Sequence, residues 1–158
     1  MHVSAFMVPA EKVQTCQPSD TIASVLDTIV GNHISAVVVT GEYGEPIGLV
    51  TNSDLVEGYH KKIPVEKPIS ELLPKHQLDT LLDTDSRDTA ARMLEKCHRH
   101  HAVVVNAQGH FVGLISAFDV VSEVAKDARA WPWMRTDDGK VHSKKEKPAV
   151  QGATGIVH

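Results

Sequence analysis

The heptapeptide Gly48-Leu49-Val50-Thr51-Asn52-Ser53-Asp54 returns 65 residues later as Gly113-Leu114-Ile115-Ser116-Ala117-Phe118-Asp119. Each copy follows a burst of β-branched residues, Ala36-Val37-Val38-Val39 and Ala102-Val103-Val104-Val105, and each precedes an apolar helical pattern. A strand, a turn and a hydroxyl-x-x-carboxylate at a helix start, made twice, predict two related units and two related pockets. The chain has 158 residues, about one domain's length, so the two half-size units must share one core.

The predicted elements recur in one order. Asp20-Thr21 opens a helix with Ile22, Val25, Leu26, Ile29 and Val30 at helical spacing, and Gly31-Asn32 is expected to end it. Ala36 to Thr40 reads as a buried strand, Glu42-Tyr43-Gly44-Glu45 as a turn, Pro46 to Thr51 as the next strand, and Ser53 opens a second helix. In the second copy Ser86 opens a helix carrying Ala90, Met93, Leu94 and Cys97. Strands follow at Val103 to Asn106 and Phe111 to Ser116, then a helix with Val120, Val121 and Val124. Matching Ile22 with Ala90 and Ala36 with Ala102 gives offsets of 68 and 66, which predicts a second copy two residues shorter between helix and strand. Ile69-Ser70-Glu71-Leu72-Leu73-Pro74 echoes Val3-Ser4-Ala5-Phe6-Met7-Val8-Pro9, an apolar lead-in to each copy. Beyond Asp127 lie an aromatic stretch with Trp131 and Trp133, plausible packing anchors, and a polar lysine-rich run over 136–148, expected as a flexible tail.

Thr51-x-x-Asp54 and Ser116-x-x-Asp119 also fit a capping box, in which hydroxyl and carboxylate satisfy the orphan amides of a helix start. Capping does not require the preceding glycine, however, and the same geometry suits a ligand. Helix N-terminal amides and a hydroxyl favour phosphate. The carboxylate repels it and so addresses something that donates, such as a ribose cis-diol. Phosphate donors beside a diol acceptor describe a nucleotide. Gly48 and Gly113 are expected to admit backbone or ligand close to the strand.

The paired motifs, the strand–turn–strand–helix order and the lead-ins resemble the cystathionine-β-synthase (CBS) domain family in tandem, over about residues 1–126. The resemblance implies an α/β (α+β) fold of two pseudo-symmetric β-α-β-β-α units packed sheet to sheet as one module. The expected segments are unit 1 at 1–62, unit 2 at 63–126 and a C-terminal segment at 127–158. It further implies two clefts that sense AMP, ADP, ATP or S-adenosylmethionine, and assembly of two chains. By motif position Asp54 and Asp119 would hold ribose, while Thr51 and Ser116 would contact phosphate or the carboxylate of an S-adenosyl ligand. Ser53 and Phe118 would line the same clefts. The segments His33-Ile34-Ser35-Ala36 and Arg99-His100-His101-Ala102 match the family's stretch before the strand. Thr15-Cys16 and Thr80-Leu81 would surround adenine. On this matching the second copy, with Arg99, His100 and His101, is expected to prefer the more highly charged phosphate chain.

Sixteen basic against twenty acidic residues give −4, with no basic excess to favour nucleic acid. The two cysteines, Cys16 and Cys97, are 81 apart and form no metal-ligand spacing, which favours reduced thiols. No secretory signal or membrane-length apolar run is visible, so a cytoplasmic protein is expected. His98-x-His100-His101 raises a metal hypothesis, but histidines two apart do not share a helix face. Neither a nucleophile motif nor a phosphate-binding glycine loop with lysine is present, so the expectation is a regulatory binding module, not an enzyme, requiring no cofactor. It would control a separate partner protein of unknown identity as a homodimer. The rival readings are a constitutive scaffold whose clefts are filled by side chains, with Phe118 as the plug, and a small metal-dependent enzyme using the histidines.

Overall fold

The computed structural model describes residues 1–75 and 77–127. The expected aromatic segment and polar tail, including Trp131 and Trp133, lie outside the described residues apart from Asp127. Residues 1–120 form one compact unit, and a second begins at Val121, where the last helix continues to Lys126 with an ion pair between Glu123 and Lys126.

The strands and α-helices of the described residues are β1 (Val8–Pro9), β2 (Thr15–Cys16), α1 (Ile22–Asn32), β3 (Ala36–Thr40), β4 (Pro46–Thr51), α2 (Asn52–His60), β5 (Thr80–Leu82), α3 (Arg87–Cys97), β6 (His101–Val105), β7 (Phe111–Ser116) and α4 (Ala117–Lys126). The β-α-β-β-α order occurs twice. One sheet runs β2-β3-β4 and the other β1-β7-β6-β5. In each, the strand before the helix pairs parallel with the strand after it, and the last two pair antiparallel.

Strand alternation distributes the valines between two kinds of core. Val37 and Val39 pack with Ile22, Val25 and Ile29 of α1, whereas Val38 between them packs with Val103 and Val105 of the other sheet. Ala102 and Val104 face Ala90 and Leu94 of α3. Side chains of a strand point alternately to opposite faces, so each central strand serves one helix layer and one sheet-to-sheet seam. No described helix is long and apolar enough to cross a membrane.

The two halves follow one register. Thr21 and Ser86 cap α1 and α3 by accepting from the Ser24 and Thr89 amides, and both helices have 11 residues. Ala36 pairs with Thr51 as His101 pairs with Ser116. A single offset of 65 (116 − 51) therefore carries caps, helices, strands and motifs, and the expected two-residue deletion is absent. Apolar spacing had aligned Ile22 with Ala90; the caps align Ile22 with Arg87 and Val25 with Ala90. Helix ends differ from expectation as well. Gly31 and Asn32 remain helical, and His33 and His98 take the left-handed position at φ 53° and 51°. Histidine is among the residues enriched there, and the following amides, of Ile34 and Arg99, close the turn on Ile29 and Leu94 carbonyls.

The lead-ins cross over. Val3 is fully buried in the core of the second half, with Leu81, Ala90 and Ile115, and its amide donates to the Asp85 carbonyl at 2.8 Å. Ile69 is fully buried in the core of the first half, its amide donating to the Asp20 carbonyl at 2.7 Å. The packed halves thus exchange their first turns relative to the expected segments 1–62 and 63–126. Gly113 and Gly48 make room for this exchange. A Cβ at Gly113 would lie 2.5 Å from Met7 Sδ and 2.8 Å from the Val8 carbonyl oxygen, and one at Gly48 would lie 2.8 Å from Leu73 Cδ2. What approaches these glycines is the opposite lead-in. Val8 adds a strand beside β7; Pro74, in the corresponding place, has no amide hydrogen to donate.

Candidate functional site

Each Thr/Ser-x-x-Asp motif ends a strand and starts a helix. Asp54 Oδ2 accepts from the Thr51 amide at 2.8 Å and from the Thr51 hydroxyl at 3.0 Å. Asp119 Oδ2 accepts from the Ser116 amide at 2.7 Å and hydroxyl at 2.8 Å, while the Asp119 amide donates to Ser116 Oγ at 3.1 Å. The capping reading of these motifs is thus realised. In both motifs it engages Oδ2, and Oδ1 of Asp54 and of Asp119 has no hydrogen-bond partner among the described residues. The hydroxyl hydrogens of Thr51 and Ser116 are committed to the carboxylates, so in this state neither has a hydrogen left for a phosphate.

Two hollows flank the motifs, and each draws on both halves. The larger, about 500 Å³, is lined by Thr51, Ser53 and Asp54 from the first motif and by His98, Arg99, His100 and His101 from the second half. Ile47, Leu49 and Leu78 supply apolar wall, and Gln77 and Asp79 complete the entry to β5. The second, about 410 Å³, joins Ser116 and Asp119 to Lys12, Val13, Gln14, Ile34 and Ala36 of the first half. Each hollow therefore combines one copy's acidic motif with the other copy's segments before the strands. Arg99 and His100 of the second copy border the hollow of Asp54, where the matching within a copy implied Asp119, and His101 borders both hollows. Phe118 lines the larger hollow but is 76 % exposed and does not plug it.

Of the expected site residues, Thr51, Ser53, Asp54, Arg99, His100 and Phe118 line only the larger hollow, and Ile34, Ala36 and Asp119 only the smaller. Ser35, His101 and Ser116 line both. Thr15, Cys16, Thr80, Leu81, His33 and Ala102 line neither. Leu81 and Ala102 are buried in the second half's helix-facing core, and His33 is spent on the helix cap. The offset of 66 used for these segments placed Ala102 where His101 stands. Residues just upstream of β2 and β5 were missed: Lys12-Val13-Gln14 and Gln77-Leu78-Asp79 occupy the walls in place of Thr15-Cys16 and Thr80-Leu81. They are 65 apart, and the constant motif spacing was the signal that could have located them.

Burial lowers the His101 pKa below the ordinary histidine value; the neighbouring His100 adds to this, and the Asp119 carboxylate opposes it. Burial, with a contribution from Asp20, pushes the Cys16 thiol up to about 11, so it is protonated and unreactive at neutral pH. Among the described residues no group of three or more histidine, cysteine or acidic side chains is placed to hold a metal ion.

The CBS domain model matches residues 3–61 and 69–126. An inosine-5′-monophosphate dehydrogenase from Aquifex aeolicus is 31 % identical over 107 residues, 68 % of this chain and 21 % of that enzyme. The chain thus spans about a fifth of the length of the curated relatives it matches. A CBS domain protein from Pyrobaculum aerophilum, solved with AMP, superposes with a TM-score of 0.70 at 23 % identity, covering 80 % of this chain and 100 % of that one. The CBS domain pair of protein MJ0100, solved with 5′-methylthioadenosine and S-adenosyl-L-methionine, gives 0.71 at 17 % identity, with 80 % and 97 % covered. These structural likenesses speak for fold. With two family segments matched, two motifs in one register and two cross-assembled hollows, the chain belongs to the CBS domain family, as a tandem pair.

Proposed function

We propose that this pair is a regulatory module that binds adenosyl ligands, and that the larger hollow holds an adenine nucleotide. The observation that carries the reading is the pairing, in that hollow, of a carboxylate with one uncommitted oxygen and a basic edge of Arg99, His98 and His100. Asp54 Oδ1 accepts from ribose hydroxyls, Ile47, Leu49 and Leu78 flank the base, and Arg99 with the histidines receives phosphate. The smaller hollow, with Lys12 beside Asp119 and apolar Val13, Ile34 and Ala36, suits a ligand of lower charge: AMP, or the sulfonium end of S-adenosylmethionine. The ligands named for the Pyrobaculum protein and for MJ0100 support an adenosyl class.

The proposed role is binding without turnover, in the cytoplasm, by a homodimer that controls a separate partner protein and needs no cofactor besides its ligand. Ligand in a hollow built from both halves favours one relative arrangement of them, and the partner reads that population. Such a shift is limited by the ligand's differential affinity for the two arrangements. A scaffold with filled clefts is not favoured, because both hollows are open.

Calorimetry with AMP, ADP, ATP and S-adenosylmethionine tests the assignment. Wild type is expected to bind, Asp54→Ala to lose the tighter nucleotide site and Asp119→Ala the other. Absence of binding by all four ligands overturns it.

A further inference from the structure

The two hollows have a wall in common. Ser35, His101 and Ser116 line both, and Ser35 Oγ lies 3.0 Å from His101 Nε2. The hydrogens available at this wall can be counted. Ser116 gives its hydroxyl hydrogen to Asp119 Oδ2 at 2.8 Å. His101 Nδ1 is buried with no partner among the described residues. If the ring carries its proton on Nε2, that N–H donates to Ser35 Oγ and the Ser35 hydroxyl hydrogen remains for a ligand. If the proton is on Nδ1, the Ser35 hydroxyl donates to Nε2 and nothing remains. A doubly protonated ring again leaves only the Ser35 hydrogen. In every protonation state the side chains of the shared wall leave at most one accessible hydrogen for the two hollows, because Nδ1 of His101 is buried.

We propose that the two hollows compete for this single Ser35–His101 donor, so that a phosphate-bearing ligand in one weakens phosphate binding in the other. The inference rests on the adenosyl-binding function proposed above. A phosphate in the larger hollow takes the Ser35 hydrogen; a phosphate entering the smaller hollow then meets, at the shared wall, oxygen lone pairs and a buried ring edge, and is left with Lys12. Adenosine lacks the phosphate and makes no claim on this donor, so its binding at the two hollows is independent.

The test is calorimetry with AMP and with adenosine on wild type, Asp54→Asn and Asp119→Asn. Asparagine keeps an oxygen for the cap amide but removes the ribose acceptor, so each variant reports the remaining hollow. The product of the two wild-type dissociation constants, divided by the product of the two variant constants, is the coupling factor whichever hollow fills first. The expected factor is about ten or more for AMP, within the usual range of couplings between sites, and about one for adenosine. Binding of a single AMP by wild type, with one bound by each variant, is the limiting case of competition and supports the proposal. Ser35→Ala in each background brings the AMP factor toward one; independently of the other variants, it brings the second AMP affinity closer to the first. An AMP factor of one, an equal factor for adenosine, or one unmoved by Ser35→Ala overturns the proposal while leaving adenosyl binding intact. So does a variant that binds nothing while wild type binds one AMP, since only one hollow then works. Failure of wild type to bind AMP, adenosine, ATP or S-adenosylmethionine overturns the parent function itself.

Discussion

Asp54 and Asp119 each commit one oxygen to architecture, and in the proposed function the other oxygen serves recognition, which separates two roles that sequence left entangled. Oδ2 holds the helix start and Oδ1 is uncommitted among the described residues. Asp54→Ala removes both functions and is expected to lower stability by about 1 kcal/mol, the usual worth of a cap, besides losing ligand. Asp54→Asn retains an acceptor for the Thr51 amide but offers the ribose an NH2 group where it needs an acceptor. Its melting temperature should stay near wild type while affinity for AMP falls at least about tenfold, the worth of a hydrogen bond to a charged group. Parallel losses of both quantities in Asp54→Asn would return the motif to capping alone. His101 carries a second consequence. Its folded-state pKa lies below the ordinary value, so the unfolded chain binds a proton more readily than the folded one. Stability therefore drops as pH falls through about 6.5 and below, and is regained above it. Unliganded His101→Asn should show a smaller loss of melting temperature between pH 7.5 and 5.5 than wild type. The difference between the two profiles is the measurement.

The longer strands, the helices and the motifs were legible in the sequence because their signals are local: valine runs, hydroxyl caps and a repeated turn. The short strands β1, β2 and β5 carry no such run and were not read. The pairing of lead-ins with the opposite halves was not, since a repeat states which segments are alike and not which copy each one packs against. The same limit hid the composition of the hollows. Arg99 and Asp54 line one hollow from opposite halves, a placement that tertiary packing decides. The register error had a similar origin, because apolar spacing on a helix tolerates a shift of one turn, whereas caps and strand partners do not. Val3 offers a direct check. It lies in the first repeat by sequence and in the second half's core by packing. Val3→Ala should cost about 2 kcal/mol for the lost burial and residual cavity. Hydrogen exchange should then speed up in β5, β6 and α3, with β2, β3 and α1 little changed; the opposite pattern would refute the crossover. The two motif glycines should also differ in tolerance. Gly113→Ala drives a methyl against backbone oxygen of Val8, while Gly48→Ala meets the end of a flexible leucine. The former should lower the melting temperature more.

The proposed assembly would give the exposed apolar residues of α2 and α4 a use. Val56 and Tyr59, three apart on α2, are 68 % and 87 % exposed, and Phe118 at the start of α4 is 76 % exposed. Scattered exposed hydrophobics are ordinary on a monomer. Here they sit on the two helices that the Thr/Ser-x-x-Asp motifs start, where a second chain would both cover apolar area and feel any change at the hollows. In the proposed homodimer these helices form the contact. Native mass spectrometry at micromolar concentration should give a species of twice the chain mass, and Val56→Glu with Tyr59→Glu should convert it to single chains, because introduced carboxylates resist burial. The carboxylates, Arg99 and the histidines assigned to the ligand belong to one chain, so the single-chain form should still bind AMP within about threefold of wild type, a shift of less than 1 kcal/mol. Loss of AMP binding together with the dimer would mean that the second chain completes a hollow. A single chain already in wild type would instead assign the exposed side chains of α2 and α4 to contact with the regulated partner.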